Sequence, residues 1–319
     1  MTGYIARRSL ITLLTLIGVS ILVFLLVHVL PGDIIDTKLS IFANRSPALI
    51  AEMEERYGLD QPVPVQYLNW LSSILQGNLG TSWRNNVPVR ELIAESLPVT
   101  IELTALAMLI TVVIGVPLGA ISAIKRNSWF DNIGRVLSFT ALGLPDFWQG
   151  AMMILIALTV FNWFPPIRFV PPWKDPIQNL ATFILPAIAL GTINIANVMR
   201  LTRSSVLEEL HRDYVRTARS KGLQERSVIA RHVLRNSLIS IVTIIGLMTG
   251  YLIGGAVPVE AVFTLPGLGR LILSSIQTRD FPTIQATLLL TSTVFTCLNF
   301  LIDLLYAYLN PRIRYGGEA

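Results

Sequence analysis

The residues able to do chemistry in this chain are few and scattered. The three histidines, His28, His211 and His232, stand at no metal-ligand spacing with cysteine or acidic clusters, so no metal site is expected. Gly never precedes Lys, which excludes a phosphate-cradling P-loop and hence an ATPase in this chain. Neither G-x-S-x-G nor H-E-x-x-H occurs. The lone Cys297 lies in an apolar run, so no intramolecular disulfide is possible and redox chemistry is not expected. No catalytic residue is assigned. What remains is ionisable groups in or beside apolar runs: Glu102, Asp146 and Asp303, with Asn194, Asn197 and Asn299 as polar company. Such groups are costly to desolvate and suit contact with a solute crossing a membrane. Glu102, Asn194, Asn197 and Asp303 are therefore the candidate pathway residues. Asp303 could instead pair with a nearby arginine, and Glu102 could reach water from a span end.

The elements that must position these groups are membrane helices. The chain has 319 residues, 52% hydrophobic and 14% charged, against about 25% charged in a soluble protein. Apolar runs near the roughly 20 residues needed to cross a bilayer occur at Ser9–Leu30, Val99–Ile124, Val136–Phe164, Ala181–Met199, Leu238–Val257 and Ile284–Leu309. Six transmembrane helices in an all-α integral membrane fold are expected. In the third run Pro145-Asp146 either kinks the helix or moves the true start of the span to near Phe147. The first run is too long for a signal-peptide core and no cleavage pattern follows, so it is read as a retained span.

Basic residues set the orientation. With the N-terminus inside, sixteen of the 25 Lys and Arg fall on the cytoplasmic side, which places both termini there. From Arg200 to Arg235 there are nine basic and four acidic residues. That excess matches the net charge of +5, so no nucleic-acid partner is needed to explain it.

Residues 1–97 read as the first span plus an extracytoplasmic helical segment, 98–310 as the transmembrane core, and 311–319 as a cytoplasmic tail. Ser46-Pro47 starts a helix over Ala48 to Tyr57 that closes at Gly58. Pro64 starts a second, with Val65, Leu68, Trp70, Leu71 and Leu75, ending at Gly77; a third covers Val89 to Ser96. This segment either docks a soluble partner or caps the bundle.

Glu208 to Ser237 is a charged island between apolar runs. Leu207, Leu210, Tyr214 and Ala218 recur three or four residues apart, as on one face of a helix. Gly222 ends that helix, and Ala230, Val233, Leu234 and Leu238 begin a second pattern. The island is either a solvated loop that fixes topology or a docking element for another protein. Beyond it, Gly246, Gly250 and Gly254 recur every four residues and allow close helix packing. Val259 to Pro282 is a mixed segment in which Leu271, Ile272 and Ile276 could form a short helix along the outer membrane surface.

Taken in order, several stretches resemble the inner-membrane permease subunits of ATP-binding-cassette importers of the oligopeptide, dipeptide and nickel type. They are Gly18 to Asp33, Gly58 to Leu68, Gly77 to Gly80, Leu97 to Leu103, Arg200 to Ser204, Asp213 to Leu223, Arg231 to Ser237, Pro266 to Arg270, Arg279-Asp280 and Asp303 to Arg314. The resemblance implies a type I importer permease fold with a cytoplasmic coupling helix that sits in a cleft of an ATPase subunit. It assigns Asp213, Tyr214, Arg216, Thr217, Ala218, Lys221 and Gly222 to ATPase coupling. Of these, Arg216, Thr217, Ala218 and Gly222 take the E, A, A and G positions of the family's E-A-A-x-x-x-G element. The acidic position is Arg216 here, and the later isoleucine and Leu-Pro positions hold His232, Leu234 and Arg235.

The implied function is import by alternating access, in a bacterial or archaeal inner membrane. The partners are a second similar permease, two ATPase subunits that use ATP and Mg, an extracytoplasmic binding protein, and membrane lipid. No cofactor is expected in this chain. Short peptides are the commonest substrate of the family, with nickel complexes, glutathione, opines and oligosaccharides as alternatives. A stand-alone channel or ion-coupled carrier is the rival class, opposed by the scarcity of intramembrane acids and the lack of an inverted repeat. An intramembrane enzyme fails for want of a nucleophile–base pair.

Overall fold

A computed structural model of the chain describes residues 2–29 and 60–309. The expected helix from Ala48 to Tyr57 and the tail with Arg312 and Arg314 lie outside the described residues. In chain order the helices are α1 (Thr2–Val29), α2 (Val63–Leu75), α3 (Val89–Ile124), α4 (Trp129–Gly143), α5 (Asp146–Phe161), α6 (Pro176–Leu210), α7 (Asp213–Ser220), α8 (Glu225–Ser227), α9 (Arg235–Val262), α10 (Leu268–Gln277) and α11 (Phe281–Leu309). A π-helical turn, Val228–Leu234, joins α8 to α9. Among the described residues the sole β-type pairing is an isolated bridge between Thr81 and Pro88.

Four helices, α1, α3, α6 and α11, are long and apolar enough to cross a membrane. The pair α4 and α5 adds a fifth if it forms one span, although it is bent by 106°. Pro145 causes the break, since it takes an extended conformation and serves as the N-cap of α5. The fifth apolar run of the sequence lies inside α9. The expected short helix Val89 to Ser96 is not separate: α3 continues from it straight through Pro98. A proline costs less in a helix whose neighbours hold it in place.

The bundle is organised on α3 and α6. Their close approach depends on small residues: a Cβ at Gly119 would lie 2.5 Å from the Met199 carbonyl, and one at Gly115 3.1 Å from Val198. Gly191 returns the favour on α6, facing the Ala107 carbonyl at 3.2 Å. This small-xxx-small pair, Gly115 and Gly119, was not singled out in the sequence. Gly246 and Gly250 receive Ile302 and Phe295 of α11, whereas Gly254 meets open space. The main apolar core gathers Leu103, Phe183, Leu190, Leu252 and Val259 from α3, α6 and α9, with Phe263 at the C-cap of α9. On α2, Tyr67 and Trp70 turn toward Phe24 of α1, with ring centroids 5.5 and 5.6 Å away.

Candidate functional site

The charged island folds as a short helical hairpin. Arg212 adopts an extended conformation as the N-cap of α7, so the chain breaks between Leu210 and Asp213. The single continuous helix face expected for Leu207, Leu210, Tyr214 and Ala218 is therefore divided between α6 and α7. All four still converge on one apolar cluster, together with Val206, Val215, Val228 and Val233. The π turn helps here. Closing the ladder between residues five apart brings Val228 and Val233 nearer to one face than an α-helix would, and both are buried.

Gly222 ends α7 in the left-handed region at φ +73°. Its amide donates to the Arg219 carbonyl at 3.0 Å, and the Leu223 amide to the Ala218 carbonyl at 3.4 Å. That double closure is the Schellman pattern, and glycine adopts the required φ without a Cβ penalty. Across the turn, the Arg219 guanidinium donates to both Glu225 oxygens at 2.6 and 3.1 Å. The guanidinium beside it holds the Glu225 carboxyl below its ordinary value. Tyr214 is half-buried against the hairpin's own base, where its hydroxyl donates to Glu209. Burial first, and the Glu209 carboxylate second, push that hydroxyl above its ordinary value.

Two faces result on a helix of eight residues. Val215 and Ala218 point inward and fasten it to the bundle. Asp213, Arg216, Thr217 and Lys221 are exposed, and among the described residues neither Arg216 nor Lys221 makes an ion pair. The arrangement suits a rigid, charged plug for a complementary cleft.

Behind the hairpin sits a buried ion pair absent from the sequence reading. Asp131, in the first turn of α4, has no exposed surface, and Arg203 of α6 reaches it with Nε at 2.8 Å and Nη2 at 2.9 Å. The Ser122 hydroxyl of α3 and the Asn127 amide also donate to Asp131. Three helices are thus pinned together about two turns before the α6 end that leads into the hairpin. In the sequence Arg203 counted as an orienting charge and as part of the Arg200 to Ser204 stretch, with no partner assigned.

The candidate pathway residues do not assemble. Glu102 lies on α3 near Asn179 of α6, whose side-chain amide donates to the Val170 carbonyl at 2.9 Å. The Asn194 amide donates to the Leu190 carbonyl of its own helix at 3.0 Å, and Asn197 accepts from Arg200 at 3.3 Å. Asp303 accepts from Arg8 Nε at 2.6 Å and ties α11 to α1. Among the described residues no hydrogen bond or ion pair joins any two of the four.

At the end of the bundle opposite the hairpin, two further carboxylates are buried. Asp280 accepts from Ser82 at 2.6 Å, the Trp83 amide at 2.9 Å and Thr283 at 2.7 Å, so it anchors the loop before α3 to the start of α11. Glu260 accepts from Thr100 and from the first turn of α10. Ile272 of α10 is buried and Ile276 exposed, so α10 does not lie with all its apolar residues outward. For Glu260 the available signal was its place in the apolar stretch Gly254 to Leu265; Asp280, flanked by Thr278 and Arg279, carried no such signal.

Comparison with known proteins agrees with this architecture. Residues 115–315 match the family described as binding-protein-dependent transport system inner membrane component, and residues 1–104 match its N-terminal membrane component. The dipeptide transport system permease protein DppB of Alkalihalophilus pseudofirmus is 40% identical over 99% of this chain and 100% of its own length. The glutathione transport system permease protein GsiC of Pectobacterium atrosepticum is 41% identical over 99% and 100%. DppB of Escherichia coli is 38% identical over 99% of each. Among solved structures, an amino acid ABC transporter crystallised with histidines superposes with a TM-score of 0.56 at 18% identity, over 69% of this chain and 94% of that one. That likeness speaks to the fold alone. With both family segments matched and full-length relatives near this level of identity, the chain belongs to the inner-membrane permease components of binding-protein-dependent ATP-binding-cassette transport systems.

Proposed function

We propose that the chain is one of two permease subunits in an importer of short peptides, a class that includes the dipeptides and glutathione named for its relatives. Six spans result when α9 and the bent α4–α5 pair are each counted as one. Both termini and the hairpin face the cytoplasm, in keeping with the basic residues around α7. Two partner ATPase subunits bind and hydrolyse ATP with Mg, a binding protein delivers substrate from outside, and this chain itself carries out no chemical step. The unit expected to fold as the core is 98–310, preceded by the first span with its extracytoplasmic segment and followed by the tail 311–319.

The observation that carries this reading is the hairpin. A helix fastened by Val215 and Ala218, with Asp213, Arg216, Thr217 and Lys221 left outward, is built to seat in a partner. Arg216, where the family pattern has an acid, requires an acidic counterpart in the ATPase cleft. Closure of the ATPase dimer would draw two such hairpins together and turn the spans toward the outside.

The test is affinity purification of the tagged chain in mild detergent, followed by peptide uptake in cells. ATPase subunits and a second permease should accompany the unaltered chain. Gly222→Pro cannot adopt a positive φ and removes the amide bonded to Arg219. It should still insert yet lose the ATPases and uptake. Normal uptake by that variant, or purification of the unaltered chain as a homo-oligomer, would refute the proposal.

A further inference from the structure

The hairpin is continuous with a long lever. Its second arm, α8 and the π turn, runs without interruption into α9, whose 28 residues span about 42 Å at about 1.5 Å per residue. Near the far end of that lever is Glu260, with none of its surface exposed. Its Oε1 accepts from the Thr100 hydroxyl of α3 at 2.6 Å. Its Oε2 accepts from the Gly269 amide at 2.8 Å and the Arg270 amide at 3.2 Å, both in the first turn of α10. Thr100 is used twice, because its oxygen also accepts from the Leu268 amide at 2.8 Å. Three successive amides that open α10, which no intrahelical acceptor can satisfy, are thus taken by side chains of two other helices.

The surroundings are shaped to this clasp. A Cβ at Gly267 would fall 2.3 Å from the Glu260 carboxyl carbon, and one at Gly269 2.5 Å from Val257 Cα. Among the described residues no guanidinium compensates the carboxylate: the Arg270 side chain turns away and donates to the Thr264 carbonyl at 2.6 Å. Glu260 therefore depends on neutral, directional donors whose positions are set by α3 and α10. Apolar contacts allow helices to slide; a carboxylate bonded to three fixed donors does not.

We propose that Glu260 and Thr100 are positioning residues of the transport cycle, fastening α10 to the end of α9 so that hairpin motion reaches the opposite mouth of the bundle. This rests on the importer reading above. When the hairpin is drawn by the ATPases, α9 carries the displacement, and the clasp forces α10 and the adjoining end of α3 to follow. In the reverse direction, a loaded binding protein pressing on that mouth signals through the same bonds to the hairpin.

The experiment uses the complete complex in lipid nanodiscs, with basal ATP hydrolysis, its stimulation by peptide-loaded binding protein, and uptake in proteoliposomes as readouts. Thr100→Val keeps the shape but removes both the donor and the acceptor; Glu260→Gln places an amide N–H against a donor. Both should retain bound ATPase subunits and basal hydrolysis, while stimulation and uptake fall about tenfold, within the usual range of coupling between sites. Thr100→Ser restores the hydroxyl and should restore stimulation. Unchanged stimulation in Thr100→Val overturns the proposal, as does an equal loss of basal and stimulated hydrolysis with a lowered melting temperature, which marks a purely structural role. If Glu260→Gln fails to accumulate, the Thr100 pair decides alone. Failure of the importer reading itself is distinct: the unaltered chain would then bring no ATPase into the complex.

Discussion

Asp131 and Glu260 are both fully buried carboxylates that pin three segments together, at opposite ends of the bundle, yet they are compensated differently. Asp131, beside the hairpin, is gripped at both oxygens by Arg203, with Ser122 and the Asn127 amide in support. Glu260 has Thr100 and two amides and, among the described residues, no opposite charge. A charge pair in a low-dielectric interior is costly to break on one side, because the charge left behind is uncompensated. A carboxylate held by neutral donors depends on fit, which is why glycine stands at 267 and 269. The end that would receive force from a partner is thus joined by charge, and the end that would deliver it is joined by shape.

The largest expected effect comes from breaking the charged end. Arg203→Ala strands the Asp131 carboxylate and should destabilise the chain by about 3–5 kcal/mol, read as loss of folded protein or a lowered melting temperature in detergent. Arg203→Lys should recover only part of this, because a single ammonium cannot reproduce the two-point contact. At the shape-dependent end, Gly267→Ala should cost about 1–3 kcal/mol through overpacking. That cost should shrink when combined with Glu260→Ala, because the clashing carboxyl is gone; strict additivity in the double-mutant cycle would show that the two residues do not meet. Gly119→Ala, pressed on the Met199 carbonyl, should cost a similar ~1–3 kcal/mol, whereas Gly254→Ala, facing open space inside α9, should cost nothing and raise the melting temperature slightly, a gain of about 0.4–1 kcal/mol of stability.

The smallest effect belongs to Arg219→Ala. Its pair with Glu225 is solvent-exposed, and such pairs contribute about 0–1 kcal/mol. Because Arg219 holds the Glu225 carboxyl below its ordinary value of 4.5, the contribution is present above that value. It drains as pH falls through the lower, folded value. The difference in melting temperature between Arg219→Ala and the unaltered chain should therefore narrow in acid and vanish once Glu225 is protonated. A gap that widens in acid would contradict the assignment.

The sequence showed the hairpin better than it showed either clasp. Gly222 and the alternation of charged with apolar residues around Tyr214 and Ala218 are local signals, and the turn forms where they indicate. The break at Arg212 was hidden because a three-to-four-residue periodicity survives a kink whose flanking helices pack on the same cluster. Glycines 246, 250 and 254 drew notice by their spacing, but spacing does not say what lies opposite: among the described residues Gly254 meets open space, while Gly115 and Gly119 bring α3 against the α6 backbone.

By itself the sequence determined an all-helical membrane chain, the stretches that form its long helices, and the charged turn between α6 and α9. These follow from apolar run length, helical period and the backbone freedom of one glycine, all properties of neighbours along the chain. Tertiary structure alone decided which carboxylates are buried and who compensates them. Asp131 with Arg203, Glu260 with Thr100 and Asp280 with Ser82 are joined by hydrogen bonds between residues 72, 160 and 198 positions apart. A buried charge is stable only if distant helices bring donors to it, and no pattern of adjacent residues records where those donors will be.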